Sequence, residues 1–236
     1  MNNLDPAFVL HTRPYQNTSL LVELFTESQG RITIVAKGAK RPKSSVAAIA
    51  QMFQPLLVET YGKSELLTLK YVEISHALPL FHPSKLAWGL YLNELLYRIL
   101  ERHEAYPDIF ESYHKIIEQL AYEAAEEKHL RIFERDLLSA LGYGLPLQHV
   151  AHSNDMITPE IYYHFLFDQG PTLTQLKEHP LVFKGQSLLE LHQGSFSSSE
   201  SLHDAKRLLR YALSHFLGNK PIKSRELVFG KHHAGK

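Results

Sequence analysis

The stretch Gly30-Arg31-Ile32-Thr33-Ile34-Val35-Ala36-Lys37-Gly38-Ala39-Lys40-Arg41-Pro42-Lys43-Ser44-Ser45 decides how the first third of this chain is read. Ile32, Ile34 and Ala36 fall on one side of an extended segment and Arg31, Thr33 and Lys37 on the other, the period-two pattern of a half-buried strand. Gly38 and Pro42 then stop the segment from continuing as regular strand or helix. Five Lys or Arg and no Asp or Glu lie between Gly30 and Ser45. A strand therefore runs into a basic loop, which suits a phosphate backbone; a solubilising hairpin tip has the same composition.

Working outward, the same alternation predicts strands at Ala7–Arg13, Ser19–Glu27, Gly30–Lys37, Gln54–Tyr61 and Glu65–Ser75, with turns at Pro14, Asn17, Gln29-Gly30 and Gly62-Lys63. The longest gap, between strands three and four, holds Val46-Ala47-Ala48-Ile49-Ala50, enough for a helical turn or two. Five short strands with that insertion are the layout of an OB barrel, with an SH3-like barrel as the alternative.

The period changes from 2 to 3.6 at Leu78-Pro79-Leu80-Phe81-His82-Pro83, where we place a boundary between a 1–80 OB-fold domain and an 81–236 helical domain. The fold class expected is α+β. Ser84–Arg102 is apolar nearly all round and reads as a buried central helix. A second helix starts at Pro107-Asp108, and a third carries Leu130, Phe133, Leu137, Leu138 and Leu141 before the stop at Gly142. Weaker signals give a strand at Ile161–Phe167 and a short helix near Gln186–His192. The serine-rich run 195–201 precedes an amphipathic helix with Leu202, Ala205, Leu208, Leu209, Ala212, Leu213 and Phe216 on one face. Lys206, Arg207 and Arg210 sit on its other face at spacings of three and four, and Lys220, Lys223 and Arg225 follow.

The 236 residues carry 25 basic and 25 acidic side chains, so net charge alone draws no polyanion to the chain. The distribution is segregated. Residues 1–80 hold 8 basic and 6 acidic residues, 81–202 hold 9 and 17, and 203–236 hold 8 and 2, leaving cationic ends around an acidic middle. With no cysteine, disulfides, thiolate metal sites and cysteine nucleophiles are excluded. The amino terminus has no basic and apolar leader pattern, and we expect a cytoplasmic protein. No GxSxG elbow, Walker loop, GxGxxG or HExxH is present. His149 and His152 are the one histidine pair that stands out, without a third ligand at helical spacing. We therefore expect no catalytic residue, no bound metal and no cofactor.

Five segments carry a family resemblance: Ala7-Phe8-Val9-Leu10-His11; Val35-Ala36-Lys37-Gly38-Ala39-Lys40; Asn93-Glu94-Leu95-Leu96; Phe133-Glu134 with Leu141-Gly142-Tyr143-Gly144; and Leu217-Gly218-Asn219-Lys220-Pro221-Ile222-Lys223-Ser224-Arg225-Glu226-Leu227. In order and spacing they resemble the bacterial recombination mediator RecO family of DNA repair proteins, over most of the chain. The resemblance implies an OB fold followed by a helical domain. It also implies a non-enzymatic protein that binds single- and double-stranded DNA, anneals complementary strands, and works with RecR to help RecA replace single-strand-binding protein (SSB). Many members carry a four-cysteine zinc site soon after the Leu-Gly-Tyr-Gly motif, whose first pair would fall at about Val150 and Ser153 here. Without thiolates, that region (about 145–180) must be held by packing and hydrogen bonds, with Tyr162, Tyr163, Phe165 and Phe167 as substitutes.

On this reading the DNA interface comprises Arg13, Arg31, Lys37, Lys40, Arg41 and Lys43, with Lys206, Arg207, Arg210, Lys223 and Arg225 as a second surface. Tyr15, Phe53 and Tyr61 lie near the barrel as stacking candidates. The SSB tail, which the resemblance gives an apolar end beside a free carboxylate, is expected on the third helix at Arg131, Phe133, Arg135 and Leu138, with an arginine meeting the carboxylate. The competing class is an OB-fold interaction scaffold without direct DNA binding. A metal-dependent hydrolase using His149 and His152 ranks far below both.

Overall fold

In the computed structural model, which describes residues 4–44, 46–153, 155–218, 221–224 and 227, five strands close into a barrel. They are β1 (Asp5–Tyr15), β2 (Ser19–Thr26), β3 (Gly30–Ala36), β4 (Leu56–Tyr61) and β5 (Leu66–Ile74). Their order is β1-β2-β3-β5-β4, with β3 parallel to β5 and β4 returning to β1, which is OB topology. Val9, Val22, Leu24, Ile32, Ile34, Ala36, Val58 and Leu69 point inward, and Ile49, from a single 3-10 turn at Ala47–Ala50, joins them.

The turn into β3 depends on Gly30. Its φ is +66°, and a Cβ there would stand 1.7 Å from the carbonyl oxygen of Glu104, so a side chain is excluded by strain and by space.

β2 is buried along its whole length rather than on alternate residues. Its inner side chains fill the barrel. Outside, Phe25 packs on Phe110, with ring centroids 5.3 Å apart, and Phe8 of β1 sits edge-on to Tyr113 at 5.1 Å. Phe110 and Tyr113 belong to α2 (Pro107–Ala121), which follows α1 (Pro83–Ile99). The change of period near residue 80 therefore marks a change of secondary structure, and the compact unit runs on to Ala125, taking in both helices.

A polar tie anchors the helices to the barrel. β1 shifts register between Val9 and His11, so the carbonyls of Val9 and Leu10 lose regular ladder partners. Buried Asn93 of α1 donates to both, at 3.0 and 3.1 Å, and its own carbonyl accepts from the Tyr113 hydroxyl. Burial drives the Tyr113 phenol far above its ordinary value, so it stays a donor at any working pH.

The second compact unit, 126–218, contains α3 (Glu127–Ala140), a three-stranded sheet ordered β7-β6-β8, α4 (Gly185–Gln193) and α5 (Ser199–Leu217). The sheet comprises β6 (Tyr162–Leu166), β7 (Gly170–Leu173) and β8 (Val182–Lys184). Gly142, at φ +83°, ends α3 as its sequence predicts. Glu190 of α4 accepts from Gln186 at 2.7 Å and from the Ser197 amide at 3.1 Å, fixing the serine-rich loop, and Ser198 caps α5. After residue 218 the chain contributes again to the first unit. Glu94 of α1 accepts from the amides of Lys223 and Ser224 at 2.9 and 2.8 Å and from the Ser224 hydroxyl at 2.7 Å, and Ile222 is buried. Burial would raise the Glu94 carboxyl, but these donors and Arg98 outweigh it and hold it below its ordinary value.

Candidate nucleic-acid interface

Strand register places the predicted cations. Arg13 of β1 pairs with Leu21 of β2, Leu21 with Val35 of β3, Val35 with Thr68 of β5, and Thr68 with Tyr61 of β4. Directly paired residues share a side of the sheet, so this row runs round the outside of one end of the barrel. Val35 is also where β3 hands over to the basic loop. That loop is pinned by the Lys40 amide on the Thr18 carbonyl (3.0 Å) and the Arg41 amide on the Gly38 carbonyl (2.9 Å), while Ala39 is buried beneath it. Small Ala39 anchors the loop by its backbone side and leaves Lys37, Lys40, Arg41 and Lys43 exposed, like Arg13.

The ion pairs formed by lysines and arginines of this unit lie elsewhere among the described residues: Arg31 and Arg102 on Glu23, Lys70 on Glu59, and Arg98 on Glu94. The five exposed cations of this barrel end therefore keep their charge for a ligand. Tyr61, 54% exposed, adds an aromatic face at the same end, and Tyr71, exposed on β5, is a second aromatic that the sequence reading passed over. Phe53 is different. It is buried and stacked on Phe81 at 4.6 Å, so it is core, while Tyr15 is half-buried.

Arg31 does not join this cluster. It lies six residues back along β3, about 20 Å at strand rise. Its guanidinium donates to the Leu100 carbonyl (3.0 Å) and to Glu23 (3.3 Å), over the Tyr97 ring at 5.4 Å. It is a structural tie to the segment after α1, and its charge is already compensated.

The second predicted surface is dispersed in a similar way. Lys206 meets Glu127 at 3.0 Å. Arg207 donates to the Val182 carbonyl at 2.7 Å, lies 4.7 Å over the Phe183 ring, and faces Asp204 at 3.6 Å. Arg210 is exposed on α5. Lys223 is exposed but belongs to the first unit, and Arg225 lies outside the described residues.

The tail site expected on α3 is corrected by burial. Arg131 is 2% exposed and donates to Glu134 at 3.0 Å; Phe133 and Leu138 are core residues. Arg135 is spent on Asp136 (2.8 Å) and on the carbonyls of Leu191 (2.9 Å) and His192 (2.6 Å). The spacing of three that puts Arg131 beside Glu134 also puts both on the same buried side as Leu130 and Phe133, so neither arginine is a free cation at the rim of a pocket.

The region where the resemblance would place cysteines, about 145–180, is closed without them. The Val150 amide donates to the Asp155 carbonyl (2.9 Å), the Ile157 amide to the Gln148 carbonyl (2.8 Å), and the Ala151 amide to the Pro171 carbonyl (2.7 Å). The Ser153 hydroxyl donates to Asp155 at 2.9 Å. Of the aromatic substitutes, Tyr163 and Phe165 are buried; Tyr162 and Phe167 are half-buried, with Phe167 stacked 4.3 Å from His215. This donor set does not fit a four-thiolate zinc ion. His149 and His152 are exposed, and among the described residues they form no ligand group with a third side chain. Nor, among those residues, is any helix long and apolar enough to cross a membrane.

Two family models match the chain: the recombination protein O N-terminal domain over residues 1–78 and its C-terminal domain over residues 80–226. The chain is similar to the DNA repair protein RecO of Coxiella burnetii strain RSA 493 / Nine Mile phase I, 42% identical over 226 residues that cover 96% of this chain and 97% of the relative. It is also similar to that of Aliivibrio fischeri strain ES114 (41%, covering 95% and 94%) and of Pasteurella multocida strain Pm70 (44%, covering 96% and 95%).

Proposed function

This chain belongs to the recombination protein O family, whose relatives are DNA repair proteins, and on that premise we propose that it is a non-enzymatic recombination mediator acting directly on DNA. It binds single- and double-stranded DNA, anneals complementary strands and, with RecR, helps load RecA onto SSB-coated DNA. One observation carries the DNA-binding part: Arg13, Lys37, Lys40, Arg41 and Lys43 are gathered at one end of an OB barrel, exposed, beside exposed Tyr61. Phosphates meet fixed cations there, and a base can stack on the tyrosine without sequence preference. Annealing asks for no general acid or base. Complementary strands repel each other, and a cationic surface that holds them lowers the cost of their encounter.

The test is a salt titration of single-strand binding by the full-length protein, read by anisotropy of a labelled oligonucleotide, together with the rate at which complementary strands anneal. The expected result is affinity that falls steeply with salt, alike for all sequences, and accelerated annealing. A chain that binds acidic protein partners but no bare strand at low salt is an interaction scaffold instead, and the proposal fails.

A further inference from the structure

We propose that the first unit contains a divalent transition-metal site, for zinc, built from His76, His114 and Glu118. His76 stands just beyond the end of β5. His114 and Glu118 are one turn apart on α2 and therefore on the same face of it. The Nε2 atom of His76 lies 3.3 Å from Oε1 of Glu118, that of His114 lies 3.6 Å from the same oxygen, and the three donor atoms are all within 4.8 Å of one another. Tetrahedral ligands about 2.0–2.1 Å from a zinc ion are about 3.3–3.4 Å apart, so both imidazole nitrogens stand at about ligand spacing from the Glu118 oxygen.

Two further observations point to a ligand there. Nε2 of His114 is buried and has no hydrogen-bond partner among the described residues, although it faces the cluster. The two imidazole rings face each other 5.6 Å apart at 27°, both turned to the same Glu118 oxygen, so one ion can be shared by all three groups. Phe8 packs edge-on behind the His114 ring at 5.3 Å and restricts its rotation. Two imidazoles and one carboxylate are a borderline donor set that suits zinc among the divalent ions, and the exposure of His76 leaves the fourth position to water. Bound there, the ion joins the segment after β5 to α2 within one unit. Because the site forms only on folding, binding favours the folded state. The expectation of a metal-free protein followed from vacant cysteine positions; this site is unrelated to them.

The experiment uses the full-length protein, tag-free, with His232→Ala and His233→Ala as the parent background so that the terminal histidines do not contribute. Zinc is added at micromolar free concentration, stoichiometry is read by elemental analysis after gel filtration, and affinity by competition with a chromophoric chelator. The expected result is one zinc per chain, a melting temperature that rises with zinc and falls with chelator, and loss of both in His76→Ala and in Glu118→Gln. Each substitution should weaken binding by more than about 100-fold, the upper end of what losing a mere outer-shell partner costs. His76→Ala removes an exposed side chain, so its metal-free melt should match the parent's. No retained zinc in the parent overturns the proposal, as does unchanged zinc affinity in both variants.

Discussion

Replacing Lys40, Arg41 and Lys43 together by alanine tests the barrel end as a phosphate surface. The three side chains are exposed; the contacts that hold the loop are made by the amides of Lys40 and Arg41, and by buried Ala39. Lys43 has φ +57°, but alanine has a Cβ as lysine does, so the backbone cost does not change. The loop should therefore keep its shape while its charge falls from four to one, leaving Arg13 and Lys37 as the cations of that end. If each of the five cations neutralises one phosphate of a single strand, log K falls against log salt with a slope of about −3.5, so a fourfold rise in salt weakens binding about 130-fold. With two cations left the slope is about −1.4, and the same rise in salt weakens binding only about 7-fold. Anisotropy of a labelled mixed-sequence oligonucleotide, titrated at several salt concentrations, gives both slopes directly. A triple variant with the wild-type slope would remove the loop from the interface, whatever happened to its affinity at a single salt concentration.

Three further substitutions or conditions probe the frame that holds this surface. Tyr113→Phe takes the hydroxyl from the Asn93 carbonyl inside the core and should cost about 1–3 kcal/mol in urea unfolding; a loss below about 0.5 kcal/mol would mean that the tie at the β1 bulge is not intact. For Glu190, burial works to raise the carboxyl, but donors from Ser197, Ser201 and Gln186 outweigh it and hold it down at about 2, against an ordinary value of 4.5. A depressed folded value means its contribution is complete above the ordinary value and lost as pH falls towards 2. Acid melts of the wild type should accordingly show a loss of about 2–3 kcal/mol that Glu190→Gln, destabilised at neutral pH, does not repeat. Arg131→Glu sets two carboxylates side by side in a buried position and should destabilise the second unit by about 3–5 kcal/mol, seen as a lower thermal midpoint. An unchanged midpoint with selective loss of binding to an acidic, apolar-ended peptide would restore Arg131 to the surface.

The barrel was legible because each strand needs one side chain in two to face inward, and Ile32, Ile34 and Ala36 obey that rule over a length that turn residues bound at both ends. Less legible was what covers the outside. The run Leu20-Leu21-Val22 contains both an inward and an outward apolar set, and only the docking of Phe110 and Tyr113 explains why Phe25 on the outer side is buried. Charges failed where their partners are remote. The carbonyl that binds Arg31 belongs to Leu100, 69 residues on, and no local pattern separates such an arginine from a free one like Arg13. On α5 the spacing of Lys206, Arg207 and Arg210 correctly makes them neighbours, yet Phe183 and Val182, which occupy Arg207, come from β8. The His114 and Glu118 spacing could be read from the sequence; His76, 38 residues earlier, could not be joined to it without the fold.

The return of residues 221–224 to Glu94 has a consequence for synthesis. Domains form largely as they leave the ribosome, amino-terminal parts first. Here the barrel and its two helices are made early, while two amides and a hydroxyl that satisfy the Glu94 carboxylate arrive after the whole 126–218 unit has been translated. Until then that carboxylate stands half-buried without these donors, and the first unit is a nascent form short of its native stability. A chain that stops within the second unit thus has the barrel and both of its helices but lacks the donors that satisfy Glu94. Arrival of Lys223 and Ser224 reports that translation has passed through the second unit.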